Sequence, residues 1–158
     1  MSLREGVGTG ATLRGTFMKI LVTGATGAIG SALTAQLAAL GHTLLISARN
    51  TVKLDALASG HANITPCAAD LTDASDLARL FSIAAEAGPF DAMVNCIGST
   101  IVRPLHLTSL ADWDNQFAIN ATTSFNLLKW FIAQATRAGV PFFVARYKTP
   151  NRTLNGFE

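Results

Sequence analysis

Three glycines fall within the eight residues TGATGAIG, Thr23 to Gly30. Glycine is costly inside a helix or strand, so three this close mark backbone that must turn tightly or be closely approached. The apolar run MKILV precedes them. AIGSALTAQLAALG follows, with Ile29, Leu33, Leu37 and Leu40 at helical spacing. A helix starting there aims unpaired N–H groups and a partial positive charge at the loop, which suits an anion such as a phosphate. Gly24 and Gly27 would then permit the turn and the close approach of a pyrophosphate, and Gly30 would let the helix pack on the strand. The loop's predicted ligand-holding residues are Gly24, Thr26, Gly27, Ala28, Ile29 and Gly30.

The next informative position lies about 20 residues on. A dinucleotide site selective for NAD places Asp or Glu there, on the ribose 2′-hydroxyl. This chain has ISARN, Ile46 to Asn50, with no carboxylate and with Arg49 in its place. A guanidinium pairs with a 2′-phosphate, so the expected cofactor is NADP(H) in preference to NAD(H). A solvated surface arginine is the plain alternative.

A glycine triad means little without elements to position it. MKILVT, HTLLISA, NITPCAA, FDAMVNCIG and VPFFVA read as strands. AIGSALTAQLAALG, TVKLDALAS and TDASDLARLFSIAAEAG read as helices, with Asn50 or Thr51 capping the second and Thr72 or Asp73 the third. One long helix is expected over about 112–138. Strict alternation predicts a three-layer α/β fold: a doubly wound parallel sheet of about five strands in order 3-2-1-4-5, with the ligand crevice at the strand C-termini. Residues 18–146 form the expected domain. The glycine-rich segment 1–17 and the segment 147–158 read as irregular tails.

Composition excludes other classes. With 49% hydrophobic and 14% charged residues the chain is globular rather than disordered. A net charge of +2 with no basic stripe gives nucleic-acid binding no support. No apolar run reaches the roughly 18 residues of a membrane span. Cys67 and Cys96 lack a CxxC or zinc spacing and read as reduced thiols of a cytoplasmic protein. His42, His61 and His106 are isolated, so no metal site is expected.

Several motifs together resemble the short-chain dehydrogenase/reductases, over about Met18 to Ala145. TGATGAIG resembles that family's cofactor loop in the spacing TGxxGxxG, which is commoner in its extended and atypical branches; Ala28 stands where the main branch has its middle glycine. AADLTD resembles the motif after the third strand, which implies adenine contacts for Asp70 and Leu71. VNCIG resembles Asn-Asn-Ala-Gly after the fourth strand; Asn95 and Gly98 match, whereas Cys96 and Ile97 depart. FAINATTSFNLLK resembles the family's long helix, which makes Asn120 the implied catalytic residue. The plain alternatives are a helix cap for Asp70 and a structural amide for Asn120.

The resemblance implies a Rossmann-like fold and hydride transfer between NADPH and a small carbonyl or alcohol. It also implies a Ser and a Tyr-x-x-x-Lys after the fifth strand. No Ser follows Ser124, and Tyr147, the one tyrosine, has Asn151 four positions on. The favoured reading is an incomplete NADP-dependent oxidoreductase of this family, with its substrate bound only if completed. A non-catalytic NADP(H)-binding or sensing protein is the alternative, and a different catalytic constellation the third. Self-association is expected, through Trp130, Phe131, Phe142 and Phe143 left exposed.

Overall fold

The computed structural model describes residues 17–139, 141 and 143–146. Five strands alternate with helices: β1 Lys19–Thr23, α1 Ala28–Ala39, β2 Thr43–Ala48, α2 Thr51–Ala58, β3 Ile64–Ala68, α3 Ala74–Ala87 and β4 Ala92–Asn95. After a short 3₁₀ turn come α4 Leu110–Phe117, α5 Thr123–Ala138 and β5 Phe143–Arg146. All pairings are parallel and the order is β3-β2-β1-β4-β5, as the alternation predicts. Pro66 lies in β3, which among the described residues pairs only with β2. An edge strand tolerates a residue without an N–H donor.

Both faces of the sheet are covered, so the central strands are apolar on both sides. Ile20, Val22, Leu44 and Ile46 form one core with Ala38 of α1 and Leu54 of α2. Leu21, Leu45 and Met93 form the other with Leu80 of α3 and with Leu127 and Phe131 of α5. Each fully buried Leu, Ile, Met or Phe contributes about 1.5–3 kcal/mol of transfer free energy.

The α1 contact line differs from the expected leucine stripe. Gly30, Thr34 and Ala38 are the buried residues, while Leu40 is 66% exposed. Small residues let this helix lie close to the sheet, and Leu33 and Leu37 sit half-buried at its flanks.

The long helix expected over 112–138 runs from Leu110 to Ala138, interrupted by a π-helical turn at Ala118–Thr122. It ends at Gly139 in the left-handed region, φ 65°. The exposure expected for Trp130 and Phe131 is corrected. Phe131 is fully buried, and Trp130 is half-buried, stacked on Phe81 at 4.8 Å between ring centroids. Both lie on the α5 face that α3 covers. Phe142, the Phe143 side chain, residues 1–16 and residues 147–158 lie outside what is described. Among the described residues, no helix is long and apolar enough to cross a membrane.

Candidate functional site

The C-terminal ends of β1, β2, β3 and β4 open onto one cavity of about 390 Å³. It collects Gly24, Thr26, Gly27, Arg49, Asp70, Leu71 and Gly98 from four loops distant in sequence. Ala28, Ile29 and Gly30 form the first turn of α1 beside it. Asn95 lies 3% exposed beneath the floor.

The three loop glycines have three different reasons. Gly24 has φ +72°, and a Cβ there would come within 2.7–2.9 Å of the Cys96 and Ile97 backbone. A Cβ on Gly30 would lie 2.2 Å from the Gly24 carbonyl oxygen. Both are required by the fold. Gly27 is not: its φ is −73°, and the nearest protein atom to a built Cβ is 3.4 Å away. The space a Cβ would fill there belongs to the cavity.

The start of α1 fits the same use. Asn50, Asp73 and Ser109 accept hydrogen bonds from the first turns of α2, α3 and α4. No side chain caps α1, and its first turn has no acidic residue. Gly27, its N-cap, lines the cavity, and free N–H groups with a partial positive charge suit an anion. These residues fit a dinucleotide pyrophosphate.

Arg49 directly follows β2 on the cavity rim, is exposed, and takes part in neither ion pair formed among the described residues. Asp70 does not cap α3; Asp73 does, accepting from Ser75 and Asp76 N–H groups. Asp70 instead accepts from the Thr72 N–H (3.0 Å) and hydroxyl (2.7 Å), a local turn that presents Leu71 to the cavity. Asp70 N–H donates to Asp76, and that bond, with Arg79 second, holds the Asp76 carboxyl below the usual range. Burial pushes the Cys96 thiol up, so it is protonated at neutral pH.

A polar chain runs under the cavity. The Thr23 hydroxyl donates to Asn95 Oδ1 (3.0 Å), which also accepts from the Ile97 N–H (3.0 Å). Asn95 Nδ2 donates to Ser124 Oγ (3.0 Å), and the Ser124 hydroxyl donates to the Asn120 carbonyl (2.9 Å). Asn120 sits in the π-helical turn, where carbonyls lose their ordinary partners. Its side chain faces the loop after β4: Oδ1 accepts from Ser99 N–H (3.1 Å) and Nδ2 donates to Ser99 O (2.9 Å). Asn120 does not line the cavity. It fixes Ser99, which does, and its Oδ1 would lie 3.5 Å from a Cβ on Gly98.

Sequence reasoning missed Thr23, Ser47, Ser99, Thr123 and Ser124. A signal existed for two of them. Thr23 and Ser47 are polar residues near the ends of otherwise apolar strands, where a buried polar group needs a partner. Among the described residues that line the cavity, the ionisable side chains are those of Arg49, Asp70 and Cys96.

A family model described as short chain dehydrogenase matches residues 18–140. D-threitol dehydrogenase of Mycolicibacterium smegmatis is 34% identical over 113 residues, covering 66% of this chain and 42% of that protein. Gluconate 5-dehydrogenase of Gluconobacter oxydans is 30% identical over 137 residues, covering 84% and 48%. A solved short-chain dehydrogenase from Streptomyces avermitilis superimposes with a TM-score of 0.76 at 25% identity, covering 82% of this chain and 49% of that one. The chain thus spans less than half the length of either curated relative.

Proposed function

The chain belongs to the short-chain dehydrogenase family, and from that premise we propose that it binds NADP(H) in the crevice above its sheet. The observation that carries this reading is Arg49: an exposed guanidinium with no ion-pair partner among the described residues, on the rim of an uncapped glycine cradle. Gly24, Thr26, Gly27 and the first turn of α1, Ala28 to Gly30, receive the pyrophosphate. Arg49 holds the 2′-phosphate. Asp70 and Leu71 flank the adenine. Gly98 lines the opposite wall, Asn95 supports it from beneath, and Asn120 locks it through Ser99.

When bound, the nicotinamide supplies a hydride to a carbonyl or takes one from an alcohol. That reaction also needs an acid within hydrogen-bond reach of the substrate oxygen. Asn120 cannot serve, because an amide does not titrate near neutral pH. No Ser follows Ser124, and no Tyr-x-x-x-Lys occurs. These 158 residues therefore bind the cofactor without turnover. A non-catalytic NADP(H)-binding or sensing role is the second reading, favoured by a formed cradle in a sequence without the Tyr-x-x-x-Lys pair. A small carbonyl or alcohol is a substrate only where a catalytic segment is supplied. The two free thiols fit a reducing compartment such as the cytoplasm.

The test pairs two measurements. NADPH should raise the melting temperature in a saturable way, because a ligand that binds only the folded state stabilises it. NADPH oxidation against a panel of aldehydes, ketones and quinones should stay at background. No thermal shift refutes the binding claim; robust oxidation, lost in Tyr147→Phe, refutes the claim of no turnover.

A further inference from the structure

The described residues include four fully buried hydroxyls on threonine and serine at 0–1% exposure: Thr23, Thr34, Thr123 and Ser47. The three threonines donate to Asn95 Oδ1, to the Gly30 carbonyl and to the Ala118 carbonyl respectively. Ser47 Oγ has no partner among the described residues. An unpaired buried hydroxyl is costly. Leu45, two residues earlier on the same face of β2, packs in the core.

Position supplies the reason for keeping it. Ser47 is in register with Thr23 of β1 and Cys67 of β3, in the row just below the strand ends. It lines the cavity with Arg49, Asp70 and Leu71. Its own carbonyl accepts from the Ala25 N–H of the glycine loop (3.1 Å), so its backbone is fixed against the cradle. The oxygen is covered in the free protein, on a side chain whose one heavy-atom torsion is χ1.

We propose that Ser47 is a cofactor-binding residue whose hydroxyl takes its missing hydrogen-bond partner from the adenosine half of the dinucleotide, directly or through one water. The proposal rests on the NADP(H)-binding reading above. The ligand is the partner that the fold withholds, so the free protein carries a cost that binding removes.

Ser47→Ala separates this from a structural role, because the two make opposite predictions for the free protein. Removing an unpaired hydroxyl should leave the ligand-free melting temperature equal to or above the parent's. The dissociation constants of NADPH and of ADP should both rise by about fivefold, the size of one hydrogen bond. Unchanged affinity for both ligands overturns the proposal and leaves NADP(H) binding standing. A clearly lowered melting temperature overturns it as well, by showing that the hydroxyl is already paired in the free protein. A loss seen with NADPH but not with ADP overturns the assignment to the adenosine half. Failure of the parent chain to bind either NADPH or ADP refutes the underlying reading instead.

Discussion

Gly27 caps α1 and Gly30 lies in its first turn, three residues on, and the two serve opposite ends. A Cβ at Gly30 would collide with the Gly24 carbonyl at 2.2 Å, while one at Gly27 would only touch it, at 3.4 Å. Gly30→Ala should therefore destabilise the fold by about 1–3 kcal/mol, the usual range for forced overpacking. Gly27→Ala should fold with a melting temperature equal to the parent's or slightly higher, since φ −73° suits alanine and the unfolded chain loses freedom. It should still weaken NADPH binding by about tenfold, by filling the space of the pyrophosphate. Thermal melts and titrations on the two variants check this, and a Gly27→Ala that binds like the parent contradicts the cradle. The sequence alone points to the loop through its glycine spacing. It does not tell these glycines apart, because the difference lies in through-space distances to the Gly24 carbonyl and to the loop after β4.

Asp73 and Asp112 accept hydrogen bonds at the starts of α3 and α4 and sit below the usual carboxylate range, Asp73 through Ser75 and Asp112 through Ser109. A carboxyl depressed in the folded state contributes stability that is complete above its unfolded value of about 3.9. That contribution is lost as pH falls through the lower folded value. The melting temperature should accordingly hold level from neutral pH down to about pH 5 and decline below about pH 4. Asp73→Ala should lower it at neutral pH and make the acid decline shallower; an unchanged acid slope would contradict the assignment. The cap at Asp73 was legible as one of two residues before an amphipathic run. The π-helical turn was not, because it depends on long-range partners. The Thr123 hydroxyl reaches the Leu71 carbonyl, Ser124 reaches Asn95, and the Asn120 side chain reaches Ser99. Nothing within 110–138 encodes those contacts by itself.

At the scale of the molecule, strand order was readable because alternating strands and helices with right-handed crossovers leave few topologies. The exposed surface was not. Trp130 and Phe131 turn inward, and Leu110, Trp113, Phe117, Phe125, Leu128 and Ile132 are the large apolar residues left facing out along α4 and α5. A helix face this apolar favours association. Light scattering at tens of micromolar should show species larger than a monomer, and Trp113→Glu combined with Phe125→Glu should shift them toward monomer. A parent chain that is already monomeric contradicts this. Cofactor choice turns on the charge of Arg49, directly after β2, and a fluorescence titration of parent and Arg49→Asp with NADPH and NADH reads it out. The parent should bind NADPH more tightly than NADH, and the variant should lose that preference, because a carboxylate would repel the 2′-phosphate and suit the 2′-hydroxyl. Equal affinities in the parent, or an NADPH preference that survives Arg49→Asp, would contradict it.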